Sequence, residues 1–461
     1  SLGLGGSPHA EYYAWLEAPG APQPFLNAAL DLLRPAFPDG VLDFRCLPAG
    51  APTEGLLQDP TWRWRCEATA IPRPLMALGV GAGVQKSLRS RSNKKHLKFY
   101  ESLEGLEFLH ADDLQPLEED HREFIDFCDF RQAIMYGKLP FRGDPLKADF
   151  FRELGERTGV LHVTTWRSNA GLISAHIGFR DGDRVVLGVL AHSPFVASHS
   201  PGTLHLLQLG RLMAERGIAE LDLTPGGSYK NRFATHADET VRLTVYFSGL
   251  RLARKSIGDR SLAVLKRVLN TASITPDKLR SLWARGRRAG RRLRIVQSPR
   301  ATAARLRSRF QPSILKLQNS GAARPSETSP SSRDRIGDLL AYRPQTPWAP
   351  TFLEFLQEAA ARIEQGWHVD TMLKGETLAA WVWTRTTSEE ETLGGMTIPA
   401  GSVVLEAFLH EAPQDRDALD ALLDRRLRDA QAQPDRPVFA VTSRSGSLVQ
   451  ALLEEKGLRP A

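Results

Sequence analysis

The sequence predicts an α/β protein of tandem domains, each a mixed, mostly antiparallel sheet flanked by helices. Three observations predict it. Strand-like runs follow one another as hairpins: "VLHVTTWR" (160–167), "LISAHIGFR" (172–180) and "RVVLGVLAH" (184–192), the last two joined through Asp-Gly in "RDGD" (180–183). A helical pattern at 201–216 then separates them from another strand-like run, "AELDLT" (219–224). A similar order of elements returns between 367 and 458.

Four regions follow from the patterning. Residues 1–84 mix short helical and apolar segments with many prolines. In 85–248, "QKSLRSRSNKKHLKFYES" (85–102) is a basic helix with few apolar positions, which suits a surface. "LEFLHADD" (106–113) reads as a strand, and helices are expected near 116–128 and at 146–157. The three hairpin strands come next. The helix at 201–216 carries apolar residues at 204, 207, 209, 212 and 213, and Gly217 ends it. "SYKNRFA" (228–234) is a short helix or turn and "VRLTVYFS" (241–248) the closing strand. Residues 249–340 are helical and basic and end in the linker-like "NSGAARPSETSPSSRD" (319–334). Residues 341–461 resume a globular pattern. It has a hairpin at 367–385, a strand at 402–410, a helix at 414–431, a strand at 437–443 and a helix at 447–458.

The totals exclude several classes. The chain has 461 residues, 42% of them hydrophobic and 25% charged, the balance of ordinary globular domains. Cys46, Cys66 and Cys128 lie far apart with no CxxC pair, so neither a zinc site nor a disulfide framework is expected, and a reducing cytoplasm fits. No apolar run approaches the roughly 18–20 residues of a membrane span, and "SLGLGGSPHA" lacks the basic and apolar regions of a signal peptide. The formal charge is +7, and residues 280–310 hold eleven arginines and no acid. That segment is either a solvated basic linker or a contact for a polyanion. There is no P-loop, Rossmann fingerprint or nucleophile elbow.

The order β-α-α-β-β-β-α-β-α-β in 85–248 resembles the GNAT acyltransferase fold. Three stretches are similar to its cellulose and exopolysaccharide-biosynthesis (CelD-like) branch, which is related to the FemABX transferases. They are "LISAHIGFRDGDRVV", "HSPGTLHLLQLGRLMAERGIAELDL" and "GGSYKNRFA". The resemblance implies that 1–84 is the tail of a preceding, truncated GNAT-like domain. It also implies that 341–461 is a degenerate GNAT-like copy, because the junction "LHEAPQDRD" has no glycine and its acids would repel a phosphate.

The same resemblance places acyl-CoA at the start of the 201–216 helix. A helix start offers unpaired N–H donors and partial positive charge, which suit a pyrophosphate. Ser200, Pro201, Gly202, Thr203 and Leu204 are the expected cradle, with Ser200 as cap, Pro201 in the first turn and Gly202 allowing close approach. The usual GNAT phosphate loop is absent, and Ser-Pro-Gly also reads simply as a helix start. His176 is either a packed strand residue or binds or deprotonates the acceptor. Asp222 either caps the next turn or orients or deprotonates the acceptor. Tyr229 either anchors a turn or protonates a leaving thiolate. Lys230 is either merely exposed or holds a phosphate or an oxyanion. His192 and His199 flank the junction, but no carboxylate or cysteine lies at ligand spacing, so no metal is expected.

The expected activity is therefore acyl-CoA-dependent N- or O-acyl transfer to a small-molecule or saccharide acceptor, linked to polysaccharide or envelope metabolism. One alternative is a FemABX-like transferase using charged tRNA, which the basic segment 280–310 would favour. The other is a non-catalytic binding or assembly module.

Overall fold

The structure is a computed structural model. It describes residues 11–15, 24–48, 50–51, 53–79, 83–156, 159–249, 313–317, 332–345, 349–410, 416–431, 436–442 and 447–460. The arginine-rich 280–310 and most of 319–334 lie outside the described residues.

The first half opens with α1 (Pro24–Ala36), β1 (Val41–Leu47), α2 (Glu54–Gln58), β2 (Cys66–Ala77), α3 (Gly83–Leu88) and α4 (Arg91–Glu101). The basic helix is thus broken in two at Ser90, whose hydroxyl caps α4 by accepting from Asn93 N–H. Next come β3 (Glu107–Ala111), α5 (His121–Tyr136) and α6 (Leu146–Gly155), with Gly137 ending α5 in the left-handed conformation. The hairpin strands are β4 (Leu161–Ser168), β5 (Gly171–Asp181) and β6 (Arg184–His192). Helix α7 (Pro201–Glu215), β7 (Glu220–Asp222) and β8 (His236–Tyr246) complete the unit.

These strands form one eight-stranded sheet in the order β1-β8-β2-β7-β6-β5-β4-β3, in which only β6 and β7 run parallel. The expected boundary at 84/85 is therefore corrected. β2 pairs with β8 from Cys66↔Val245 to Leu75↔His236, and β1 pairs on the far side of β8. Residues 41–77 belong to the same sheet as the rest, because β8 has partners on both edges only if β1 and β2 are there.

The second half contains β9 (Ser313–Leu317), β10 (Ser332–Arg333), α8 (Ile336–Leu339) and α9 (Phe352–Glu364). These are followed by β11 (His368–Lys374), β12 (Thr377–Thr386), the small hairpin β13 (Glu391–Leu393)–β14 (Met396–Ile398) and β15 (Val403–Leu409). Helix α10 (Arg416–Gln431), β16 (Val438–Thr442), α11 (Ser447–Glu455) and β17 (Leu458–Pro460) finish the chain. Their sheet runs β10-β11-β12-β15-β16-β9-β17, again with a single parallel pair, β15 and β16. β9 fills the place between β16 and β17, so this unit begins by residue 313 and not at 341.

The sheet units share a core. Phe124 and Phe127 of α5, Leu161 of β4 and Ile177 of β5 join Leu339 of α8, Phe355 of α9 and Trp367 in one apolar cluster. Arg142 straps the seam, donating to Asp126 at 2.8 Å and to the Gly337 carbonyl at 3.2 Å. The other face of the first sheet packs against α7 through Val185, Leu187 and Leu221.

Candidate functional site

The first sheet opens between its two parallel strands. β6 and β7 pair only at Arg184↔Glu220, Val185↔Leu221 and Val186↔Asp222, and β6 then continues to His192 paired with β5 but not with β7. Two local features part the strands. The β5–β6 register shifts between Ile177 and Phe179, a bulge that bends and twists β6. Glycines make the bulge possible: a Cβ on Gly178 would lie 2.5 Å from the Val186 carbonyl oxygen, and one on Gly188 2.4 Å from that of Ile177. Across the gap, β2 carries Pro72 and Pro74. The Pro74 carbonyl accepts from Leu223 N–H while the next carbonyl, Leu75, accepts from Thr235 N–H. Pro72 and Pro74 therefore turn their donorless nitrogens toward the gap, where no strand can complete a ladder.

The start of α7 lies beside the end of β6. Ser200 occupies the cap position but in the left-handed conformation (φ +54°), and its hydroxyl makes no cap bond. The expectation of a side-chain cap is thus corrected: the left-handed backbone leaves the N–H groups of the first turn to other acceptors. Leu204 N–H bonds to the Ser200 carbonyl at 3.1 Å, whereas Gly202 and Thr203 N–H find no acceptor among the described residues. Pro201 and Leu204 are buried, Leu204 against Tyr100, Trp166 and Ile173, so their side chains serve the core. Gly202 faces the His192 ring, where an added Cβ would sit 3.2 Å from Cδ2. Burial pushes His192 down to about 4, so its ring is neutral near neutral pH.

A polar cluster closes the end of β7. Asp222 accepts the Tyr12 hydroxyl at 2.7 and 2.8 Å, Thr224 N–H at 2.8 Å and Arg73 Nη1 at 3.4 Å. Arg73 is also paired with Asp238, which raises its pKa, and its guanidinium lies 5.8 Å from the Tyr12 ring. Burial and the Asp222 charge raise the Tyr12 phenol, which stays a donor. Lys230 Nζ donates to Thr224 Oγ1 at 2.7 Å and to its carbonyl at 3.2 Å. Burial lowers the Lys230 pKa, against the opposing pull of Glu11 and Asp222. Tyr229 stands apart on the loop, 41% exposed.

His176 is not in this cluster. Asp222 follows Leu221, which packs under α7, so the Asp222 carboxylate faces the opposite side of the sheet. The His176 ring lies on the α7 side, fully buried, 6.5 Å from the His205 ring. Its Nε2 accepts Gly188 N–H at the bulge at 3.4 Å, and burial pushes it down to about 3. It belongs to a buried row of imidazoles. His110 and His162 are 4.4 Å apart, and His162 and His176 6.1 Å. His205 is held by Thr164 and Ser174 hydroxyls at 2.8 Å each, while neither ring nitrogen of His162 has a partner among the described residues. A general base needs access to its substrate, which the position of His176 under α7 denies it. Among the described residues no group of three or more His, Cys, Asp or Glu is placed to hold a metal ion.

Tyr12, Arg73 and Thr224 of the cluster escaped sequence reasoning. The available signal was a charged residue held between prolines in "IPRPL".

Residues 87–232 match the family model for an acetyltransferase (GNAT) domain. A search of curated proteins finds no match. Among solved structures, the C-terminal domain of a putative lysylphosphatidylglycerol synthetase from Agrobacterium fabrum is 11% identical, covering 52% of this chain and 75% of that one at a TM-score of 0.33. A GNAT-family acetyltransferase from Colwellia psychrerythraea is 10% identical, covering 77% and 96% at 0.26. A tandem GNAT protein from the clavulanic acid biosynthesis pathway is 12% identical, covering 77% and 95% at 0.23. These likenesses are too remote to bear on activity. No described helix is long and apolar enough to cross a membrane.

Proposed function

We propose that this chain transfers an acyl group from acyl-CoA to an amine or hydroxyl of an acceptor, in the gap where β6 leaves β7. One observation carries the proposal. The strands part after Val186↔Asp222, and the nearby helix start presents two N–H groups, Gly202 and Thr203, with no acceptor among the described residues. Such a pair at the positive end of a helix suits a pyrophosphate, and the parted strands leave room for the extended arm that carries a thioester. The match of 87–232 to an acetyltransferase domain supports the same reading. On the resemblance, the acceptor is a saccharide or other envelope precursor handled in the cytoplasm.

In the reaction, the acceptor nitrogen or oxygen bonds to the acyl carbon, the carbon–sulfur bond breaks, and the acceptor's proton passes to solvent. The leaving thiolate takes a proton from Lys230, which regains one from solvent. Two of the three ammonium donors of Lys230 are used on Thr224, and its lowered pKa eases release of the proton. Asp222, already accepting from Tyr12, Arg73 and Thr224, acts as the fixed anchor of this corner. Most of the acceleration comes from holding donor and acceptor together.

The test is calorimetric titration with acetyl-CoA of the full chain and of a Gly202→Glu variant, whose carboxylate would occupy the phosphate position. Saturable binding by the parent and loss of at least tenfold in the variant are expected. No binding of acetyl-CoA, with retention of charged tRNA that weakens steeply with salt, would replace this reading with the aminoacyl-transfer one.

A further inference from the structure

The second sheet unit contains a cavity of about 350 Å³ at the end of β15, between α9 and β12, within the size range of small-ligand pockets. It lies outside the acetyltransferase match and outside the gap between β6 and β7. Its walls are aromatic: Tyr342 stacks on Phe355 at 4.0 Å, and Trp381 stacks on Phe408 at 5.6 Å. Tyr342, Phe355 and Trp381 are each more than nine-tenths buried.

Arg362 and Gln345 line the cavity together with His410 and Glu358, and the last two have unfilled acceptor positions. His410, which lines it, is 5% exposed, and its Nε2 lies 2.7 Å from the Arg343 carbonyl oxygen. A carbonyl only accepts, so Nε2 carries the hydrogen, and in that tautomer Nδ1 is a bare acceptor. That Nδ1 is buried and has no partner among the described residues. At the rim, Glu358 gives one carboxylate oxygen to Arg362 at 3.2 Å, and the other oxygen meets no donor among the described residues. Arg362 is itself committed to Glu406. The unfilled positions on His410 and Glu358 are therefore both acceptors, and one of them is charged. The rings already hold a cation well, since the Arg362 guanidinium carbon lies 5.2 Å from the Phe408 ring and 5.8 Å from that of Trp383.

We propose that this cavity binds a small organic ammonium ion, with an apolar or ring body against the aromatic walls and N–H groups directed to His410 Nδ1 and Glu358. A buried acceptor without a donor is costly, and a ligand N–H repairs it. A carboxylate at the rim beside aromatic faces favours a cationic donor over a neutral hydroxyl. The site is one of binding, independent of the acyl-transfer proposal.

The experiment follows tryptophan fluorescence of the full chain, since Trp381 and Trp383 line the cavity, and confirms binding by calorimetry. The probes are 2-phenylethylammonium, the neutral 2-phenylethanol and benzyltrimethylammonium, which is a cation without an N–H. The primary ammonium is expected to bind saturably, at least tenfold more tightly than the alcohol and at least fivefold more tightly than the quaternary ion. Glu358→Gln, at an exposed position, should keep the circular dichroism spectrum and lose the preference for the ammonium over the alcohol. A flat titration with the ammonium, equal binding of the alcohol, or an unchanged preference in Glu358→Gln would each overturn the proposal.

Discussion

The two β-α-β crossovers, β6–α7–β7 and β15–α10–β16, have the same order and the same parallel pairing but part company at their ends. In the second sheet, β15 pairs β16 over Val403–Glu406 and pairs β12 over seven residues without a register shift. β15 has no glycine, and β16 is covered on its far side by β9, which has no proline. In the first sheet, pairing stops after three residues, β6 bulges at glycines, and the strand across the gap is edged with prolines. In both sheets the parallel pair stops short, after three residues in the first and four in the second; what sets the first apart is the bulge at glycines and the proline-edged strand beside the gap.

The largest expected difference between the two units is their response to acid. Burial pushes His162 down to about 2, His176 and His205 to about 3 and His192 to about 4, all in the first sheet unit. In the unfolded chain each titrates near 6.5. Below that pH the unfolded state binds protons that the folded state refuses, so stability falls as pH falls, by up to about 1.4 kcal/mol per pH unit for each ring. Asp120, Glu123, Asp126 and Asp129 of the first unit and Asp370 of the second, whose pKa values burial raises, act in the opposite sense. Between pH 6.5 and 5 the imidazoles decide. Urea denaturation should show a loss of several kcal/mol across this window, and hydrogen exchange should show β4–β6 losing protection before β11–β15. Equal loss in both units would erase the contrast.

Next in size is Gly188→Ala. Its Cβ would meet the Ile177 carbonyl oxygen at 2.4 Å, so the bulge must shift, at a cost of about 2 kcal/mol. Denaturation measures that cost. Acetyl-CoA affinity should fall with it, because straightening β6 narrows the gap. If stability drops while affinity stands, the bulge serves packing alone.

Smaller again is Tyr12→Phe. It removes the hydroxyl from Asp222, a buried carboxylate, and should cost about 1.5 kcal/mol. Because the contacts of Tyr12 with Asp222 and Arg73 lie at this corner, the exchange protection of the second sheet should be unchanged.

Much of this was legible in the sequence, and the exceptions have physical causes. The Asp-Gly hairpin, α7, and the strand–helix–strand order of the second unit follow from local period and turn chemistry, which a single stretch of chain contains. β2 was hidden because Pro72 and Pro74 punctuate it, and β9 because it lies next to linker-like sequence. Both are strands only because distant partners, β8 and β16, claim them. At the site, Asp222 and Lys230 come together through Thr224, but Tyr12 arrives from 210 residues away and no spacing could announce it. His176 looked chemical because it is titratable. Its partner is the bulge N–H of Gly188, and only the fold reveals that.

The smallest effects separate the two helix starts. In α9, Thr351 and Glu354 form a full capping box, so Thr351→Ala should cost about 1 kcal/mol. In α7, the Ser200 hydroxyl makes no cap bond and the residue is held left-handed, so Ser200→Ala should change stability by less than about 0.5 kcal/mol. Ser200→Gly should be neutral or slightly stabilising, because relief of the left-handed strain offsets the added freedom of the unfolded chain. Denaturation midpoints of the three variants distinguish the cases. A cost of about 1 kcal/mol for Ser200→Ala would mean that the hydroxyl caps α7 in solution. The N–H groups of Gly202 and Thr203 would then already be partly satisfied, and the anion cradle would lose its basis. A near-zero cost leaves those donors free for a ligand, which is what distinguishes α7 from α9.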